Sequence, residues 1–251
     1  MIVGITDSFQ KIVRSGLVLD LDPGLSRSYP GSGAIWTDVS GFGNHVTFTN
    51  AFGNIAPTFS SSNGGHINLD SNPLILGSGT LSTSLKPNNI TMEAWANTGS
   101  SKAVNRGIIT VQRGSGETLN YGLKLIDGKY GVFIFANAAI ATSGNEFNPI
   151  LQLNTWVHVL GTWDGTTLKM YVDGIQRSSS TETSGNLSYD SLNTRFVIGS
   201  QYKGTVMGGT YNTGPDGYWS KPIGPVRIYN RALTAAEVLQ NFNVQRLRFN
   251  V

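Results

Sequence analysis

The sequence predicts an all-β protein, with antiparallel sheets packed as a sandwich and one short helix near the C-terminus. Three observations carry this reading. Short apolar–polar alternations recur from residue 17 almost to the end of the 251 residues. Asp-Gly pairs sit between several of these runs, which marks tight hairpins. The chain holds 31 glycines and only 13% charged residues, against ~25% in an ordinary soluble domain, so it lacks the Ala, Glu, Lys and Leu excess of a helical bundle.

The elements follow in order. Leu17, Leu19 and Leu21 alternate with Val18 and Asp20 and read as the first strand. Runs at 66–69, 90–95 and 107–111 are next. Asp127-Gly128 joins the alternations at 121–125 and 130–135, and Asp164-Gly165 joins 155–163 to 167–172. A third pair, Asp173-Gly174, follows directly. Residues 195–199 and 226–229 read as the last strands. Thr234 and Glu237 then have the spacing of a capping box, followed by an apolar stripe of Ala235, Val238, Leu239 and Phe242. Nothing resembles an interdomain linker. Residues 1–15 read as an N-terminal arm and 16–251 as one domain. The arm's Ile2, Val3, Ile5, Phe9, Ile12 and Val13 are too apolar for a solvated tail, so an assembly contact is expected of it.

Composition narrows the function classes. Eighteen Lys and Arg against 15 Asp and Glu give a net charge of +3. The basic residues are scattered, so no nucleic-acid partner is expected. The absence of cysteine removes disulfides, thiolate catalysis and Cys-based zinc sites. No stretch approaches the ~18 apolar residues of a membrane span, and the first residues lack the basic start of a secretory signal. A glycoside hydrolase needs two carboxylates ~5–9.5 Å apart across the scissile bond. Glu93 stands alone on its strand, and Glu117, Glu146 and Glu182 fall in loop-like contexts, so no enzyme activity is expected. His45, His66 and His158 lack metal-site spacing. His158 shares a strand face with Trp156 and reads as structural.

Several segments resemble the laminin-G-like, concanavalin A-like jelly-roll family. They are the Trp36–Asp38–Ser40–Gly41–Asn44–His45 turn, the 90–95 strand, the Trp156-Val157-His158-Val159 hairpin running to Tyr171-Val172-Asp173-Gly174, and the 226–234 ending. The resemblance implies a two-sheet jelly roll. It also implies calcium near the 38–44 turn, helped by an acid before the Val226-Arg227-Ile228-Tyr229 strand, where this chain has Gly224. Asp38, Asn44 and the carbonyls of 40–43 are the candidate Ca2+ ligands, with Asp20 or Asp22 as a substitute for the acid. The alternative is a turn in which Asp38 caps backbone N–H groups.

Residues 16–22 and 28–33, and the tail 238–249, are further similar to tailed-bacteriophage virion proteins. This resemblance implies a non-enzymatic structural protein at the virion surface, as capsid decoration or a tail-fibre component. Its partners would be other virion proteins or copies of itself. The alternative is a carbohydrate-binding module for glycans in an extracellular or cell-surface setting. Sugar sites need exposed aromatics beside amides and carboxylates. Trp95, Trp156 and Trp219 fit the core better. The candidates are Tyr202, Tyr211, Asn212, Asp216 and Tyr218 in the 201–220 loop, and the turn around Tyr29. A loop of this kind is equally suited to packing on a neighbouring subunit.

Overall fold

Alternating side chains give each strand two faces, and here both faces of one sheet find cover. A computed structural model of the chain describes residues 11–48, 57–69, 74–76, 81–97, 106–112, 119–126, 129–137, 139–143, 154–189, 196–199, 219 and 221–251. In chain order the strands are β1 (Leu17–Leu21), β2 (Ile35–Trp36), β3 (Val46–Phe48), β4 (Thr58–Ser60), β5 (His66–Asn68), β6 (Leu74–Leu76), β7 (Ile90–Asn97) and β8 (Arg106–Gln112). They continue with β9 (Leu119–Ile126), β10 (Lys129–Ala136), β11 (Ala139–Ser143), β12 (Trp156–Trp163), β13 (Leu168–Val172), β14 (Ile175–Ser180), β15 (Phe196–Ile198) and β16 (Pro222–Tyr229). Helix α1 (Ala235–Gln245) runs into a 3-10 turn, Arg246–Phe249, and a second such turn, Ser62–Gly64, precedes β5.

The strands form two eight-stranded antiparallel sheets packed as a jelly-roll sandwich. The first has the order β14-β13-β12-β7-β16-β5-β4 with β1 beside β16, and the second β11-β10-β9-β8-β15-β6-β3-β2. Strands β5 and β1 share one edge of β16. The former pairs with Pro222 and Ile223, the latter with the stretch from Val226 to Tyr229. The expected hairpins are in place. Ile126 pairs with Lys129 across 127–128. Val172 pairs with Ile175, and the Asp173 and Gly174 between them have φ of 52° and 75°, the left-handed pair that a two-residue hairpin requires. Asp164 closes its own turn by accepting from the Thr166 and Thr167 amides at 2.9 and 2.8 Å.

Met92, Ala94, Val159, Trp163, Met170, Val226 and Ile228 of the first sheet meet Ile109, Tyr121, Leu123, Val132, Ile134 and Phe196 of the second in one apolar core. The intervening residues of the first sheet face outward, yet they are buried too. Leu160, Tyr171 and Tyr229 pack with Val13, Leu17, Leu233 and Val238. Trp95 and Trp156 pack with Phe249, and Phe242 lies against them. Trp156 therefore is buried, as expected, but under the C-terminal turn rather than between the sheets.

Two expectations meet a different arrangement. Residues 11–15, read from sequence as part of an assembly arm, are held within the chain. The Val13 amide donates to Asn241 Oδ1 at 2.8 Å, the Tyr229 hydroxyl to the Val13 carbonyl at 3.1 Å, and Gln240 Nε2 to the Lys11 carbonyl at 2.6 Å. The groove for them exists because α1 lies across the outer face of the sheet. Residues 1–10 lie outside the described residues. The helix has its capping box between Thr234 and Glu237, but its buried face is Val238, Asn241 and Gln245, while Leu239 is 45% exposed. Polar side chains face inward because charged groups wait beneath them.

A chain beginning at Gly16 should unfold at lower denaturant than the full chain. Loss of the Val13 burial and of the partners of Asn241 and Tyr229 should cost ~2 kcal/mol or more. Trp156→Ala should cost ~3–5 kcal/mol in the same experiment, as for other buried tryptophans.

Candidate functional site

The carboxylates come first, because catalysis on this fold would need them. Arg227 projects from the outer face of β16 and is 1% exposed. Its Nε donates to Asp20 Oδ1 at 2.9 Å, Nη1 to Glu93 Oε1 at 3.0 Å and to Gln245 Oε1 at 2.9 Å, and Nη2 lies 3.4 Å from Asp22 Oδ2. Arg14 reaches Asp20 Oδ2 at 3.0 Å, and Arg248 reaches Asp22 Oδ1 at 2.7 Å. Glu93 takes its remaining bonds from Asn241 Nδ2 at 2.7 Å, with His158 Nε2 at 3.2 Å. Three carboxylates thus face three guanidinium groups. Burial pushes the Glu93 carboxyl up, but Arg227, His158 and Asn241 outweigh it and hold it down at about 2. That is the reverse of what a general acid needs.

The Asp38 turn is equally saturated. Oδ1 accepts from the Asp20 and Ser40 amides, both at 2.9 Å, and Oδ2 from the Ser40 hydroxyl at 2.8 Å and the Asn44 amide at 3.0 Å. The Asn44 side-chain amide donates to the Val18 carbonyl and to Ser84 Oγ. This donor set does not fit a calcium ion, which wants free oxygens where four N–H and O–H groups now point. Among the described residues no group of three or more metal-ligating side chains converges. At Gly224, a Cβ would lie 2.8 Å from the Phe249 ring and 3.0 Å from Trp95 Cβ. Glycine stands there because the C-terminal turn covers the strand.

The turn around Tyr29 does form a cleft. Its volume is about 330 Å³, and its walls are the 23–31 turn on one side and β4 with the Ser62–Gly64 turn on the other. Tyr29 is buried, with its ring 5.7 Å from that of half-buried Phe59 and its hydroxyl on the Gly33 carbonyl at 3.1 Å. Pro30 adds exposed apolar surface beside the buried Pro23, and Ser26 and Ser61 stand exposed at the rim. The Ser61 hydroxyl makes no capping bond to the turn it precedes. The walls meet where Gly24 lies on Gly64 and Gly65, and a Cβ on Gly24 would collide with the Gly64 carbonyl oxygen. An aromatic wall, an exposed proline and exposed hydroxyls suit the apolar face and the hydroxyl edge of a sugar ring.

The other sugar candidates, Tyr202, Tyr211, Asn212, Asp216 and Tyr218, lie outside the described residues. Phe59 was not singled out from the sequence. It sits in the short, largely polar run Thr58-Phe59-Ser60, whose only signal is an aromatic between hydroxyls. The Arg227 network was missed as well, although Arg227 and Tyr229 alternating with Val226 and Ile228 already place a charge on one strand face.

The family model for the concanavalin A-like lectin/glucanases superfamily (laminin G type) matches residues 61–239. Among solved structures, the binding domain of Paraclostridial mosquitocidal protein 1 is similar with a TM-score of 0.64 and 16% identity over 92% of this chain and 52% of that one. The botulinum neurotoxin serotype D ligand-binding domain, in complex with N-acetylneuraminic acid, gives 0.63 and 14% over 94% and 52%. A Trypanosoma rangeli sialidase with 2,3-difluorosialic acid gives 0.58 and 16% over 94% and 34%. The chain thus spans about half the length of the toxin domains and about a third of the sialidase, and these likenesses establish the fold. No curated protein matches the chain in sequence. The chain belongs to the concanavalin A-like lectin/glucanase superfamily.

Acid titration tests the ion network. Glu93 is held below its usual 4.5, so its contribution is complete above about pH 4.5 and is lost as pH falls towards about 2. A shift of this size is worth on the order of 3 kcal/mol, which should appear as a falling melting temperature across that window. Melting curves in calcium and in chelator should superimpose, since a ligand stabilises only a state that binds it.

Proposed function

We propose that this member of the concanavalin A-like superfamily is a non-enzymatic carbohydrate-binding module, and that a glycan seats in the Tyr29–Phe59 cleft. The observation that carries the reading is the cleft itself, an aromatic and proline surface beside exposed rim hydroxyls. Binding without cleavage is supported by the state of the buried acids: Asp20, Asp22 and Glu93 are all engaged by arginine and roofed by α1 and the Arg246–Phe249 turn. A carboxylate in that state has no substrate to protonate.

We further propose that the module is a structural component of a bacteriophage virion, displayed on a capsid or tail fibre. Its support is the sequence resemblance of residues 16–22, 28–33 and 238–249 to such proteins. Copurification with particles tests this setting, and its absence would leave a free lectin.

A glycan array on the full chain tests the binding reading. Phe59→Ala should weaken the best ligand about tenfold or more, or ~1.4 kcal/mol, while circular dichroism reports an intact sandwich. Undiminished binding by the folded variant would place the site elsewhere, and a silent array would remove the reading.

A further inference from the structure

We propose that the Tyr29–Phe59 cleft selects an uncharged saccharide and disfavours one bearing carboxylate or sulfate groups. The inference rests on the glycan-binding reading above and concerns the charge of the ligand.

None of the ten described residues lining the cleft carries a charge. Among the described residues one cation lies directly against it, Arg248, which approaches the wall at Gly24 and Gly64. Three of its five N–H donors are already engaged. Nε donates to the Asn63 carbonyl at 3.0 Å, Nη2 to the Gly65 carbonyl at 2.7 Å and Nη1 to Asp22 Oδ1 at 2.7 Å. The guanidinium also lies over the Phe249 ring, 5.0 Å from its centroid. Arg248 therefore ties the two walls together from beneath, and its charge is met in contact by Asp22. The same Asp22 oxygen also accepts from the Gly24 amide at 2.9 Å. An anionic sugar would have to draw Arg248 away from a carboxylate already 2.7 Å from it, and would leave Asp22 without its closest cation. Without that exchange, the ligand's charge would lose water and gain no counter-ion.

A neutral ring makes no such demand. Its C–H face can lie on Phe59 and Pro30, and its hydroxyls can exchange water for Ser26, Ser61 and the backbone of the glycine-rich walls. Arg27 is exposed in the same turn but does not line the cleft.

Paired oligosaccharides with and without a terminal sialic acid, offered to the full chain at low and high sodium chloride, give the test. The asialo form should bind, and the sialylated form should bind at least about tenfold more weakly. Affinity for the asialo form should be unchanged by salt, since no ion pair is formed with the ligand. Arg27→Ala should leave both values where they are. Preference for the sialylated form, or an affinity that falls steeply with salt, would overturn the charge inference. If that sialylated ligand is lost in Phe59→Ala, the binding reading stands without it. Silence towards both forms and every other glycan overturns both.

Discussion

A single guanidinium, that of Arg227, organises the outer half of this protein. It is buried among Asp20 from β1, Glu93 from β7 and Gln245 from α1, with Asp22 at the edge. Stripping water from one charge is costly unless partners meet it at once, and here they come from segments more than 200 residues apart in sequence. Once the partners are drawn in, the surrounding elements have few other places to go. Strand β1 must lie beside β16, and α1 must turn Asn241 and Gln245 inward, because Glu93 and Arg227 still have bonds to make. That requirement explains why the helix exposes Leu239 while burying two amides.

The same network shapes the cleft. Asp22 is the last residue of the ion cluster and the first of the turn that forms one wall. Arg248 bonds Asp22 at one end and the carbonyls of Asn63 and Gly65 at the other. The C-terminal 3-10 turn is therefore a spacer between the ion cluster and the cleft. The walls approach to backbone contact at Gly24, which accounts for the glycines that gather there without any appeal to flexibility. Covering of β16 by Phe249 follows from the same docking, and it leaves no room at Gly224 for an acid.

Most of the fold was legible in the sequence, because strands, tight turns and a capping box are local signals. Asp127-Gly128, Asp164-Gly165 and Asp173-Gly174 each mark the junction they were read as. The Thr234–Glu237 box opens the helix as its spacing required. What was not legible is long-range. The destination of residues 11–15 depends on Asn241 and Tyr229, more than 200 residues away. Hydrophobic patterning favoured Leu239 for the buried face because it cannot register a charge waiting under the helix. Tyr29 was visible as a candidate because its turn is rich in Pro, Gly and Ser. Phe59 was not, because only the fold brings β4 beside that turn.

An apolar layer under α1 would have filled the same volume, and buried ion pairs often stabilise no better than apolar replacements. The difference lies in what each tolerates. Strand β16 alternates Val226 and Ile228 inward with Arg227 and Tyr229 outward, and its register against β7 already shifts between Ile223 and Val226. A slip of one residue in a strand with apolar groups on both faces would exchange one hydrophobic surface for another. With Arg227 in place, the slip would drive a guanidinium into the core and leave Asp20 and Glu93 bare. Such a strand has one admissible register. Since β1, β5 and β7 all pair with β16, fixing it fixes the centre of the sheet, and through Asp22 the position of the cleft wall.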